Sequence, residues 1–275
     1  MTKKDLTKLW DEKFDHIYLQ HYPVYTERFD YIINELNRVG IYNCKNFSIY
    51  YSIPNQAEEI IYNYYKDNNL LASDNININM FRQGYTHYRI LNEAKMFNYE
   101  RILIIHDDIR FLKDLELIYK IISGIPDEYD ICLFDYINCL LDTIDDSIDT
   151  PINKYCTKVN DSYYDGIQLL LLANTLCAYS KQYIDILIKV FNYKFGVPDS
   201  YISAISNDFD TMIELGIDIY NYKIIFCHPR LAIQYQYKSS LVKELFKCDF
   251  DNYDQYQAHP IRFLNKNIDY SMYNV

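Results

Sequence analysis

The chain has 275 residues, about half of them apolar, and a formal charge of −11. It can therefore bury the core of one large domain or two modest ones. That charge argues against a nucleic-acid partner, because binders of a phosphate backbone carry clustered Lys and Arg to displace counterions. Seven cysteines with no C-x-x-C pair exclude a disulfide framework and a thiolate zinc site. The abundance of Tyr, Ile, Asn and Lys follows from AT-rich codons more simply than from an aromatic binding surface.

The amino-terminal "MTKKDLTKLWDEKFDH" has no apolar signal core. No run reaches the roughly 18 uncharged apolar residues of a membrane span; "YDGIQLLLLANTLCAY" is too short. A cytoplasmic protein with no transmembrane segment is expected. Membrane contact would be peripheral, with no basic patch to strengthen it.

In chain order, "FDHIYLQHYP" places the run Ile17 to Leu19 before a turn at Pro23, which predicts a first strand. "TERFDYIINELNRVG" sets Phe29, Ile32, Ile33, Leu36 and Val39 at helical spacing, with Thr26 as N-cap and Gly40 as the stop. "NFSIYYSI" predicts a second strand. After the polar "SDNININ", "GYTHYRILNEAKMFNYE" has helical period through Tyr88, Leu91 and Met96 and leads into a strand from Arg101 to Ile105. "FLKDLELIYKIISGIP" predicts a helix closed by Gly124 and Pro126, and "YDICLFDY" another strand. "LDTIDDSIDTPINKYCTKVNDSYYDG" reads as a loop, "LLLLANTLCAYS" as a buried strand, "KQYIDILIKVFNY" as a helix, and "IDIYNYKIIFCHPRLAIQ" as strand-like up to His228. Strands alternating with helices predict an α/β fold with a mostly parallel central sheet flanked by helices. Residues 1–240 are expected to form its main domain, with 241–275 an extension packed on it.

The chemistry gathers where "RILII" meets His106, Asp107 and Asp108. Ligands collect outside the carboxyl ends of strands in α/β sheets. Alternation along a strand lets His106 and Asp108 point together, with Asp107 turned away or into the turn. This is the pattern of a D-x-D site, in which a divalent cation held by one or two side chains holds a diphosphate in turn. A cation would also let an acidic protein bind an anionic ligand.

The segment "GYTHYRILNEAKMFNYERILIIHDDIRF" resembles glycosyltransferase family 25, the lipooligosaccharide and collagen galactosyltransferases. Gly84 and His87 frame the start of its helix, "NYE" its turn, and "IIHDDIRF" its acidic strand end. "IYLQHYPVYTERFDYIINELNRVGI", "YDICLFDY", "LLANTLCAYSKQYIDILIK", "PDSYI" and "HPRLAIQ" are similar to further family segments in the same order. His106 stands where the family has Glu, Tyr85 where it has Cys, and Ala173 where it has Gly, and Thr86 sits one position short of the family's Ser. An imidazole suits Mn²⁺ better than Mg²⁺.

The resemblance implies a GT-A type fold and inverting transfer of galactose or glucose from a UDP-sugar donor to a glycan or glycolipid hydroxyl, assisted by Mn²⁺ or Mg²⁺. It implies His106, Asp108 and the late His228 as metal ligands, and Arg28, His87 and Asp107 as donor-binding residues. Asp199, in "PDSYI", is the expected proton acceptor, with Asp208 and Asp210 as neighbouring alternatives. Two other readings stay open. One is a transferase-like scaffold that has lost activity. The other is a metal phosphohydrolase of the H…HD…D type, whose motif sits on helices.

Overall fold

The protein is described from a computed structural model. The structure describes residues 2–23, 26–52, 55–74, 76–135, 137–138, 157–165, 171–172, 175–196, 214–217, 221–234 and 272.

A helix absent from the sequence expectations opens the chain: α1, Lys3–Lys13. Thr2 and Asp5 form its capping box, and Leu6, Leu9 and Trp10 bury one stripe. The chain then alternates as expected through β1 (His16–His21), α2 (Thr26–Arg38) and β2 (Phe47–Tyr51). Thr26 is the first residue of α2 rather than its cap, and Gly40, at φ 87°, turns the chain after it. A second unforeseen helix, α3 (Asn55–Asp67), precedes α4 (Ile78–Met96).

The start of α4 corrects the sequence expectation. Asn77 caps it by accepting from the backbone N–H groups of Asn79 and Met80, both at 3.0 Å. Gly84 and His87 therefore lie inside the helix rather than at its start. Glycine is required at 84 for packing, since a Cβ there would stand 2.7 Å from the carbonyl oxygen of Gly196.

The remaining elements are β3 (Arg101–His106), β4 (Ile109–Phe111), α5 (Leu115–Ser123), β5 (Ile131–Leu133), β6 (Ile137–Asn138), β7 (Thr157–Lys158), β8 (Tyr163–Asp165), β9 (Leu171–Leu172), β10 (Leu176–Ser180), α6 (Lys181–Tyr193), β11 (Ile224–Cys227) and β12 (Ala232–Gln234). Residues 157–158 and 163–165, expected in a loop, are strands. Phe111, expected at a helix start, lies in β4 and pairs with Ala232 of β12.

Among the described residues the main sheet has eight strands, in the order β2-β1-β3-β10-β5-β11-β8-β7. Following the pairings outward from β1, six of the eight run in one direction, and β10 and β8 run against them. The fold is thus α/β with a mostly parallel orientation, two reversed strands being inserted. Alternate residues of each strand feed two cores. Ile17, Leu19, Leu103 and Ile105 pack with α1, α2 and α5 on one face, while Tyr18, Ile102 and Ile104 pack with α4 and α6 on the other. Burial on both faces explains why β3 reads as an unbroken apolar run.

Among the described residues no helix is long and apolar enough to cross a membrane. Cys44, Cys132, Cys177 and Cys227 are buried thiols outside any disulfide. Of residues 241–275 only Met272 is described, and its carbonyl accepts from the N–H of Lys113 at 2.9 Å.

Candidate functional site

β1 lies between β2 and β3 and is parallel to both. The chain leaves β1 towards β2 on one side and reaches β3 on the other, so the strand order reverses between β1 and β3. That reversal opens a crevice at the carboxyl ends, the usual ligand position in such sheets. The strands pointing towards this edge run into polar groups: β1 ends in His21, β3 in His106 followed by Asp107 and Asp108, β5 leads to Asp135, and β11 leads to His228.

Register places Gln20 beside His106. From the turn after β3, Asp107 reaches back across the crevice. Its Oδ2 accepts from Nδ1 of His21 at 2.7 Å and from the backbone N–H of Tyr22 at 3.2 Å. Nη1 of Arg28, from α2, stands 3.7 Å from Oδ1. All three side chains are buried, with His21 4% and Asp107 6% exposed. The carboxylate thus joins the end of β3 to His21, 86 residues away at the end of β1, and to α2. Phe29 and Tyr51 flank the His21 ring, with centroids 4.7 Å and 5.8 Å away.

His106 is 7% exposed, and its Nε2 is buried with no hydrogen-bond partner. Its backbone N–H donates to the carbonyl of Thr175 at 2.8 Å, and the Thr175 hydroxyl donates to the buried Asp135. Burial lowers the His106 pKa against the pull of Asp108 and then Asp107. Asp108 itself is half-buried.

His87 is fully buried inside α4, edge-on to Tyr179 at 5.6 Å, and neither ring nitrogen has a partner. Burial, with a smaller contribution from His106, pushes it down to about 3. It therefore lines the floor beneath the crevice and does not reach the surface.

Further groups converge on the same edge. Gln20 Nε2 donates to the carbonyl of Gln83 at 3.1 Å, joining β1 to α4. Arg82 pairs with the fully buried Glu58 and lies 5.8 Å over the Tyr22 ring. Burial raises the Glu58 pKa, and Arg82 opposes that rise.

The structure brings Arg28, Asp107, His106 and Asp108 to one strand-end crevice and leaves His87, expected to touch the donor, fully buried beneath it. It does not gather the expected metal set. His228 follows β11, three strands from β3, or about 14 Å at ordinary strand spacing, and its ring faces Tyr164. Among the described residues no three His, Cys, Asp or Glu side chains are close enough to share a cation. Asp199, Asp208, Asp210 and Ala173 lie outside the described residues. The H…HD…D phosphohydrolase reading loses its footing, because His106 ends a strand and Asp107 follows in a turn.

Sequence reasoning passed over His21, Asp135 and the Glu58–Arg82 pair. The strand-end rule that singled out His106 applies equally to His21 in "LQHYP" and to Asp135 in "LFDY". No local signal marks Glu58, whose partner is 24 residues away on another helix.

No family model matches this chain, and no curated protein does. Among solved structures, a similar chain is the mannose-1-phosphate geranyltransferase from Thermus thermophilus. It is 8% identical, the match covers 85% of this chain and 79% of that one, and the TM-score is 0.37. An overlay that loose carries nothing on activity, which rests on the crevice.

Proposed function

We propose that the β1/β3 crevice binds a nucleoside diphosphate sugar, UDP-linked in the simplest case, and transfers its hexose to an acceptor hydroxyl. The observation that supports this most is the buried polar set at the strand-order reversal, where Arg28 and His21 hold Asp107 beside His106 with its unpartnered nitrogen. Polar groups left buried without partners cost about 1–3 kcal/mol each, so they concentrate where a ligand completes them.

The residues fit a divalent cation in part. The lowered pKa of His106 keeps its imidazole neutral and able to ligate, and Asp108 adds a carboxylate beside it. Asp107, with one oxygen already bonded to His21 and Tyr22, serves as an organiser of the crevice. His106 and Asp108 would hold Mn²⁺, leaving other positions to diphosphate oxygens and water. When bound, the ion supplies charge that stabilises the departing diphosphate.

Arg28 orients the diphosphate through its guanidinium, a forked donor suited to phosphate oxygens. The acceptor is a glycan or glycolipid, and the GT-A resemblance of the sequence points the same way.

Calorimetric titration of UDP, with and without Mn²⁺ and repeated on Asp108→Asn, tests the reading. Binding that needs both the metal and Asp108 supports it. Absence of binding under every condition rejects it. The two-residue ligand set also keeps a second reading in view, a module that binds the nucleotide sugar without turning it over. UDP binding with no release of UDP from UDP-galactose would favour that one.

A further inference from the structure

Resting on the transferase reading, we propose that His21 is the proton acceptor of the reaction and Asp107 the positioning residue that fixes its tautomer. An ionised carboxylate only accepts hydrogen bonds. The 2.7 Å contact from His21 Nδ1 to Asp107 Oδ2 therefore places the imidazole proton on Nδ1 and the lone pair on Nε2. The carboxylate is fixed in turn by the Tyr22 N–H and balanced by Arg28. The ring is held between Phe29 and Tyr51. Orientation of a histidine by a buried carboxylate, so that its other nitrogen can take a proton, is the arrangement a general base requires.

Both ring nitrogens of His87 are buried without partners, whereas Nε2 of His21, the nitrogen opposite Asp107, is not among the buried unpartnered atoms and makes no hydrogen bond with the described residues. His21 also stands at the carboxyl end of β1, where the strand order reverses. Among the described residues, the charged and titratable groups facing it are Asp107 from the turn after β3, Arg28 from α2 and Tyr51 from β2.

In the step so assigned, the acceptor O–H bond breaks and its proton passes to Nε2 of His21. The acceptor oxygen forms a bond to the anomeric carbon. The bond from that carbon to the diphosphate oxygen breaks, and its electron pair leaves with the nucleoside diphosphate. The imidazolium, paired with Asp107, then returns its proton to water.

UDP-galactose with water as acceptor provides the assay, read as UDP released. His21→Gln should lower kcat by about 10²- to 10⁴-fold, the usual contribution of a general base, with KM and UDP affinity unchanged. Added imidazole should restore part of the rate in His21→Ala. ¹⁵N chemical shifts of the histidines, which need no substrate, should show His21 protonated on Nδ1 in the wild type and shifted towards Nε2 in Asp107→Asn. Unchanged kcat in a folded, UDP-binding His21→Gln protein would overturn the assignment and leave the transferase reading standing. So would a wild-type His21 carrying its proton on Nε2. Failure of the wild type to bind UDP would overturn both.

Discussion

The two edges of the central sheet make opposite use of charge. At the amino edge a cleft of about 760 Å³ is lined by acidic and basic side chains, including Asp15, Glu100, Arg101, Asp130, Lys181 and Lys223. They are satisfied locally. Asp15 accepts from the backbone N–H groups of Glu100 at 2.7 Å and Arg101 at 2.9 Å, and Asp130 accepts from the N–H of Lys223 at 2.9 Å. Lys181 meets Glu100 at 2.8 Å with both side chains largely in water. At the carboxyl edge the described charged groups Arg28, Asp107 and Asp135 are buried, and ring nitrogens of His87 and His106 have no partner. A charged cleft whose members already answer one another is structural. A buried set left incomplete is the better candidate for binding.

The largest difference should come from removing a carboxylate at each edge. Asp107→Ala removes the carboxylate that accepts from His21 and is ion-paired with the buried Arg28, and should cost about 3–5 kcal/mol, the usual loss on breaking a buried pair. Urea unfolding measures it, and a loss under about 1 kcal/mol would mean that water already solvates the crevice.

Acid should separate the edges next. Burial holds His87 down to about 3 from an ordinary 6.5 and lowers His106 as well. Below 6.5 the unfolded chain takes up protons that the folded chain refuses, so stability is full above that pH and falls as pH drops from 6.5 towards 3. The slope reaches about 1.4 kcal/mol per pH unit for each such histidine. His87→Leu should flatten the decline. At neutral pH it should stabilise the fold by about 1 kcal/mol, because two unpartnered buried nitrogens disappear. An unchanged acid limb would show that His87 is hydrated.

Asp15→Ala should cost only about 1 kcal/mol, since water replaces an exposed acceptor. A penalty matching that of Asp107→Ala would erase the contrast. Lys181→Ala, which removes an exposed ion pair, should shift stability by less than about 0.5 kcal/mol, within the scatter of a melting curve.

Much of the architecture is legible in local pattern. The helical spacing of Phe29 to Leu36, the continuous Ile102 to Ile105 run and the Gly124 stop reappear as α2, β3 and the end of α5. Where an element was missed, a local signal was present: Thr2, Asp5 and the Leu6, Leu9, Trp10 stripe announce α1. Local pattern misplaces the start of α4 because Gly84 reads as a helix boundary, whereas its small size serves packing against Gly196. The same segment can hold a glycine for backbone freedom or for space, and periodicity does not distinguish them.

What the sequence by itself determined is the alternation of strands and helices through β1, α2, β2, β3 and α5 and the placing of His106, Asp107 and Asp108 at a strand end, because side-chain period and apolar runs are local properties. Only the tertiary structure decided that Asp107 turns to His21 and Arg28, that His87 is walled in beneath the crevice, and that His228 stands three strands from His106. Those facts depend on strand order and register. These bring residues 86 positions apart within hydrogen-bonding distance or hold them a sheet-width apart, and no short stretch of chain encodes which.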